Sequence, residues 1–237
     1  MLGRKSRKLI MTETRLGTRN PPPFELIGGN VCLDFINTLD DRPSGEPKEL
    51  LESYYDLARF GKEAGIFSAQ QYDHLLARAK THASREAENA RRRAIHLRES
   101  MYAVFSALMD RQLVPPVAMD VLNSSIQDAA QHLRLIQREK IRSKIVSPEP
   151  TVEWRFDDLG SAFDAMLWPI TRAAADLLAS SDLGFVRACS SPTCQWFFLD
   201  TSKNHHRRWC SMQLCGNRTK VRKFYAKKKK GVEVAQH

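Results

Sequence analysis

Apolar residues recur three and four residues apart over much of this chain, which is the spacing of amphipathic helices. It predicts helices over 48–65, 68–82, 84–111 and 115–130, and a buried helix at 31–39 for which a strand is not excluded. Gly65 is predicted to end the first, and Ser68 with Gln71 to cap the second. Another helix is predicted over 157–181, with a kink at Pro169.

The spacing changes to alternation in a few places, which indicates strands. Strands are predicted within 132–139, 141–146 and 152–156, and a short strand over 24–29 is closed by a Gly-Gly turn. Residues 41–47 are predicted as a loop. The predicted fold class is α+β: a mainly helical N-terminal domain with a few antiparallel strands, followed by a small cysteine-rich module.

The positive charge is concentrated at the two ends of the chain. The formal net charge of +10 divides into +5 over 1–23, −5 over 24–186 and +10 over 187–237. We expect 1–23, which ends in three prolines, to be a disordered basic arm. The candidate for binding a polyanion is therefore the tail and not the body.

Cysteine usage and hydropathy bear on the compartment. The chain has five cysteines, 42% hydrophobic residues and no apolar run approaching the roughly 18 residues of a membrane span. No secretory segment is recognisable at the N-terminus. We therefore expect a cytoplasmic protein without membrane contact, whose thiols stay reduced.

Four of the cysteines lie in one short window near the C-terminus. Cys189 and Cys194 form a C-x4-C pair, and after fifteen residues Cys210 and Cys215 form a second. Four thiolates complete the tetrahedron that Zn²⁺ prefers, so the pattern predicts one structural Zn²⁺ per chain. A hairpin of 195–200 with 206–210 is predicted between the pairs, and a helix capped by Asn217 after them. This order is that of a treble-clef-like finger.

Other interpretations of these residues are weaker. Four cysteines could form two disulfides, but disulfides are not expected in a reducing compartment. A redox site would favour the spacing C-x-x-C. His205 and His206 lie in the predicted turn, where we interpret them as surface or phosphate-contacting residues. Four cysteines leave no open position for catalytic zinc. Cys32 lies in an apolar run and is interpreted as a core residue.

Basic and aromatic residues are interleaved around the cysteines, as on many nucleic-acid surfaces. Part of this charge offsets the formal charge of about −2 on a zinc–thiolate centre. The helix after Cys215 is predicted to place Val221, Phe224 and Tyr225 against the hairpin. The predicted nucleic-acid contacts are Arg207, Arg208, Arg218, Lys220, Arg222, Lys223 and Lys227.

Two stretches resemble known families. The string CSSPTCQWFFLDTSKNHHRRWCSMQLCGNRTKVRKFY resembles the CGNR zinc finger, whose tetrapeptide is Cys215 to Arg218 here. GGNVCLDFINTLDDR resembles the N-terminal motif of the ABATE domain, the usual partner of that finger. The resemblance covers about 24–228 and implies a bacterial stress-induced transcription regulator whose finger binds DNA. The basic arm lies outside the family pattern.

The body contains no recognisable catalytic constellation. One polar cluster could hold a ligand or ion, but we favour local backbone capping and an ion pair for it: Asp34, Asn37, Asp40, Asp41 and Arg42. Three functions stay open: a transcription regulator whose body is a sensor or dimerisation module, an interaction protein whose finger docks onto a protein, and an enzyme with an unrecognised site in the body. The first is favoured, with DNA as partner and a homodimer and an effector left open.

The predicted organisation has four segments. They are a basic arm at 1–23, an ABATE-like α+β domain at 24–183, a CGNR finger with a basic C-terminal helix at 184–230, and a tail at 231–237. We expect the second segment to fold without the finger because it has an apolar core of its own.

Overall fold

The computed structural model describes residues 21–81, 83–137, 152–222 and 225. Several sequence predictions therefore lie outside the described residues: most of the basic arm, the strand at 141–146, the tail at 231–237, and Lys223, Phe224 and Lys227.

Six α-helices dominate the described chain. They are α1 Val31–Ile36, α2 Tyr54–Glu63, α3 Ala69–Thr81, α4 Ser84–Met109, α5 Pro116–Gln131 and α6 Leu167–Leu178. A 3-10 turn, Ser181–Phe185, follows α6, and a π-helical turn, Met212–Gly216, continues as α-helix over 217–222.

The strands form three small antiparallel pairs. They are β1 Leu39–Asp40 with β2 Lys48–Glu49, β3 Leu133–Gln137 with β4 Val152–Phe156, and β5 Val186–Ala188 with β6 Phe197–Leu199. The predicted fold class, mainly helical α+β with a small cysteine module, is confirmed.

Local signals set several boundaries as predicted. Ser68 and Gln71 cap each other at the start of α3, with N–H···O distances of 2.9 and 3.2 Å. Gly65 has φ +73°, the left-handed conformation that favours glycine after a helix. Helix α2 begins later than predicted, since Ser53 and Asp56 form its capping box and Lys48–Glu49 pairs with β1 instead.

One predicted element of the body is wrong, and another begins later than predicted. Residues 24–27 form no strand; the nearby Gly28 carbonyl accepts one hydrogen bond from Leu199 N–H at 2.8 Å, without a ladder. The helix predicted from residue 157 begins at Leu167, so Pro169 lies in the first turn of α6. A first-turn N–H has no helical acceptor, and proline there does not kink the helix.

One hydrophobic core runs through the body and into the cysteine module. Helix α1 contributes Leu33 and Phe35, α2 contributes Phe60, and all three are fully buried. Val186 of β5 and Phe197 of β6 belong to the same buried cluster. The body core is thus completed by residues that follow it in the sequence.

A buried arginine organises polar groups beside this core. Arg98 is 1% exposed, and its guanidinium donates to both carboxylate oxygens of Glu49 at 2.7 Å and to Thr38 Oγ1 at 3.1 Å. Although burial alone raises the pKa of Glu49, the hydrogen bonds and charge of Arg98 lower it overall. This pair fixes β2 to α4.

Asn37, at the end of α1, joins the body to β6. Its side chain accepts a hydrogen bond from Phe197 N–H and donates one to Phe197 O, both at 2.8 Å, and Asn37 is 4% exposed. The Phe197 ring stacks on the Tyr102 ring, with centroids 5.1 Å apart. The Arg42 guanidinium lies over the Tyr102 ring, 4.0 Å from its centroid.

Replacing Asn37 with alanine should lower the free energy of unfolding by about 2–4 kcal/mol, because it leaves the buried N–H and C=O of Phe197 unpaired. Urea unfolding of zinc-loaded protein measures the change. Asn123→Ala, at an exposed position on α5, is the matched control. A loss no larger than that of the control would contradict the role of the Asn37 link.

A second prediction concerns Asp34, whose carboxylate accepts Gly28 N–H at 2.7 Å. Burial raises the pKa of Asp34 to about 6, against backbone hydrogen bonds from Gly28 and Ile27 that lower it. The folded state therefore binds the proton more tightly than the unfolded chain, and stability falls as pH rises between about 4 and 6. Asp34→Asn should remove this loss, so its stability relative to wild type should grow across that range. A pH-independent difference in urea midpoint would contradict the assignment.

Candidate metal centre and nucleic-acid interface

The first cysteine pair lies in the connection between two paired strands. Cys189 follows β5 and Cys194 precedes β6. Their backbone N–H groups donate to Trp196 O at 2.8 Å and Ser191 O at 3.1 Å, which turns the chain back on itself. Both side chains consequently point to one side of a tight knuckle and are buried.

The second pair lies at the start of the last helical segment. Ser211 is the N-cap, and its side chain accepts from Leu214 N–H. Cys215 N–H donates to Ser211 O at 3.0 Å, so Cys215 lies one turn after Cys210. The predicted cap, Asn217, is instead inside the helical segment, with φ −65° and ψ −42°. That prediction was wrong because Ser211 supplies the cap earlier.

The four sulfur atoms lie close enough together to hold one metal ion. All lie within 4.8 Å of one another, and two Sγ–Sγ distances are 3.7 Å (Cys194 to Cys210) and 3.6 Å (Cys210 to Cys215). Zn–S bonds of about 2.3 Å in a tetrahedron place the sulfurs about 3.8 Å apart. The site fits one metal ion, and the cofactor of this zinc finger is one structural Zn²⁺.

The electrostatics of the cluster favour a bound cation. Hydrogen bonding with Cys194 and Cys210 lowers the pKa of Cys189 to about 2, whereas the contact with Cys189 and burial raise the pKa of Cys194 and Cys210. A thiolate at one cysteine thus disfavours ionisation of the neighbouring thiols. A divalent cation offsets this repulsion and lets all four ionise.

The predicted hairpin between the cysteine pairs was wrong. β6 pairs with β5, and 206–210 contains no strand. Asp200 causes the difference: its buried carboxylate accepts from Ser202 N–H, Ser202 Oγ and Arg207 N–H at 2.6–3.0 Å. These bonds close a compact loop in place of a return strand. One backbone bond, Ser190 N–H to Arg208 O at 2.8 Å, attaches this loop to the knuckle.

The two histidines do not belong to the metal cluster. His205 Nδ1 lies 2.8 Å from Asp200 O, and its ring stacks on Phe185 with centroids 4.0 Å apart. His205 therefore connects the loop to the 3-10 turn. His206 is exposed.

The predicted nucleic-acid contacts fall into two groups. Arg208, Arg218, Lys220 and Arg222 are exposed. Arg207 instead donates to the backbone carbonyls of Trp209 and Cys210, and its guanidinium lies 4.4 Å from the Phe198 ring centroid. Arg207 thus stabilises the finger itself. The sequence predicted it as a surface contact for nucleic acid, together with the exposed cations.

Two residues of the predicted apolar stripe, Val221 and Tyr225, are exposed. Val221 is 54% exposed and Tyr225 is 64% exposed, so neither belongs to the buried core of the finger. The cluster around the cysteines is filled instead by Trp196, Phe198 and, in part, Trp209.

The polar cluster of the body has a structural role. Asp34 accepts from the backbone of Gly28, and Arg42 binds both carboxylate oxygens of Glu99 at 2.8 and 3.1 Å, as the capping and ion-pair interpretation predicted. Asn37 differs, because its partner is Phe197 and not the local backbone. No sequence signal within this motif pointed to a partner so far along the chain.

Comparisons with known proteins agree with this architecture. A family model named CGNR zinc finger matches residues 186–228. A second model, ABATE, described as "Putative stress-induced transcription regulator", matches residues 29–181, which is more than half of the chain. A search of curated proteins gave no match. Within the described residues, no helix combines the length and hydropathy needed to cross a bilayer. Because the ABATE model covers more than half of the chain, the chain belongs to the ABATE family, and it carries a CGNR zinc finger at its C-terminal end.

Proposed function

We propose that this protein is a DNA-binding transcription regulator of the cytoplasm, with the finger as the DNA-contacting unit and the body as a sensor or dimerisation module. The family description supports a regulatory role. We propose the same division that the sequence predicted, a body over 24–183 and a finger over 184–230, with Val186 and Phe197 of the finger completing the body core.

We further propose that Cys189, Cys194, Cys210 and Cys215 are the zinc ligands. Their sulfurs are the one group of potential ligands of this kind in the described part of the chain. Because the finger is small, the bound ion would supply much of its folding free energy. The metal acts here as a structural ion, and it would hold the helix start against the knuckle.

Protein purified without chelators should contain one zinc per chain by elemental analysis. Cys210→Ser should abolish stoichiometric zinc, since three thiolates bind the ion far less tightly. Cys32→Ala is the matched control, because Cys32 is equally buried but lies in the body core. Zinc content unchanged in Cys210→Ser, or lost in Cys32→Ala, would contradict this ligand set.

The observation that carries the DNA-binding proposal is the exposure of cations on the helix after the fourth cysteine. Arg218 and Arg222 are four residues apart and share one helix face. Lys220, two residues from each of them, is exposed on the other side of the helix. Among the described residues this helix carries no acidic side chain. Such a surface neutralises phosphates, and an arginine on it can reach a guanine edge as a bidentate donor.

Removing these cations should weaken DNA binding and its dependence on salt. The variant Arg218→Ala/Lys220→Ala/Arg222→Ala should bind duplex DNA more weakly, with the slope of log affinity against log salt reduced by about one per lost phosphate contact. Fluorescence anisotropy over a salt series measures both quantities. The matched control, Lys48→Ala/Lys80→Ala/Arg85→Ala, removes three exposed cations from the body.

Zinc content must equal that of wild type in both variants, so that a folding defect is not scored as lost contact. If the finger variant retains wild-type affinity and slope, the helix is not the DNA surface. Protein docking is then the better function for the finger. The exposed Val221 and Tyr225 beside the cations favour that alternative.

A further inference from the structure

A cavity of about 610 Å³ lies between α4, α5 and α6. Its volume is in the range of sites that hold small organic molecules, about 300–1,000 Å³. All of its lining residues belong to the body, so it is separate from the metal centre. No local sequence pattern predicts it, because its residues come from α4, α5, α6 and the turn before α6, which are distant along the chain.

The lining of the cavity carries excess negative charge. Three carboxylates line it, those of Asp120, Asp128 and Asp164, with Arg93 as the one lysine or arginine among the described lining residues. Arg93 forms an ion pair with Asp164 at 2.6 Å. Asp128 accepts a hydrogen bond from the Trp168 indole N–H at 3.0 Å, which leaves its charge in place. Among the described residues, no lysine or arginine forms an ion pair with Asp120 or Asp128.

These two carboxylates share one face of α5. Asp120, Ser124 and Asp128 recur every four residues and all line the cavity. Their spacing sets the two carboxylates about 12 Å apart along the helix axis. The acidic stripe therefore extends along the cavity, opposite α4 and α6.

A hydroxyl group adds to the polar lining of the cavity. Thr171 of α6 lines the cavity and is only 1% exposed. A hydroxyl in this position can donate a hydrogen bond to an occupant of the cavity or accept one from it.

The remaining wall is apolar and rigid. Leu97, Leu167 and Trp168 line it and are 3–8% exposed. The Trp168 ring is held between the Asp128 hydrogen bond and a stacked His132, with ring centroids 3.6 Å apart. An apolar wall facing an acidic stripe fits a molecule that is apolar at one end and positively charged at the other.

We propose that this cavity binds a small organic cation, an amine with an apolar body, whose charged nitrogen is held by Asp120 or Asp128 and whose apolar part lies on Trp168. The inference deepens the proposed sensor role of the body. Helix α6, which carries Thr171 and Trp168, leads through the 3-10 turn directly into β5 and the first cysteine. An occupant of the cavity thus contacts the element that enters the finger.

The test uses zinc-loaded full-length protein without DNA and three probes of nearly equal size: 2-phenylethylamine, 2-phenylethanol and 3-phenylpropanoate. Saturation-transfer-difference NMR and titration calorimetry give the affinities. The amine should bind at least about tenfold more tightly than the alcohol or the carboxylate, the difference made by one charge-assisted hydrogen bond. Equal affinities for the three probes, or no binding of the amine at millimolar concentration, would overturn the proposal.

Variants locate the binding. Asp120→Asn/Asp128→Asn should remove the preference for the amine, while Asp73→Asn/Asp110→Asn, which neutralises two exposed carboxylates outside the cavity, should keep it. Amine binding unaffected by the cavity variant would place the site elsewhere and overturn the assignment. Amine binding in protein that has no affinity for DNA would support the cavity and contradict the DNA-binding function, so the two proposals fail separately.

Discussion

The structure depends most on a pair of hydrogen bonds between residues that are far apart in sequence, those of the Asn37 side chain with the backbone of Phe197. A primary amide can donate and accept at once, and here it satisfies both backbone groups of one buried residue. An apolar substitute would leave a donor and an acceptor unpaired in the core. This requirement explains why a polar residue ends α1, an otherwise buried helix.

The same hydrogen bonds join the finger to the body, and neighbouring contacts add to this connection. Tyr102 of α4 stacks on Phe197, and Arg42, itself bound to Glu99, covers Tyr102. β6 also reaches Gly28 through the Leu199 N–H. The first cysteine pair therefore lies between β5 and β6, two strands that pack against the body. The second pair is held by the loop that Asp200 organises and by Ser211 at the helix start. A metal ion held by the four sulfurs would connect these two halves.

The sequence predicted the parts of the fold that local chemistry determines. Capping at Ser68, the glycine stop at Gly65 and the start of α5 at Pro116 follow from neighbouring residues, and these were correct. The four-cysteine cluster could also be predicted, because ligand type and spacing specify it. The failures involve long-range pairing. β6 pairs with β5 and not with 206–210, and Arg207 turns inward to backbone carbonyls. No local pattern distinguishes such an arginine from an exposed one.

The separation of charge along the chain gives the two units different surfaces. In the body, arginines are largely engaged with carboxylates, as in Arg98 with Glu49 and Arg93 with Asp164, and acidic residues are in excess. In the last helix, Arg218 and Lys220 are exposed, with no carboxylate in the described part of that helix. A polyanion is attracted to one unit and repelled by the other, so charge alone orients it toward the finger. For a small cation the preference is reversed, and the acidic cavity of the body is where the same electrostatics would concentrate it. The two proposed ligand classes therefore need not compete for one surface, and the two units that would bind them share one buried cluster.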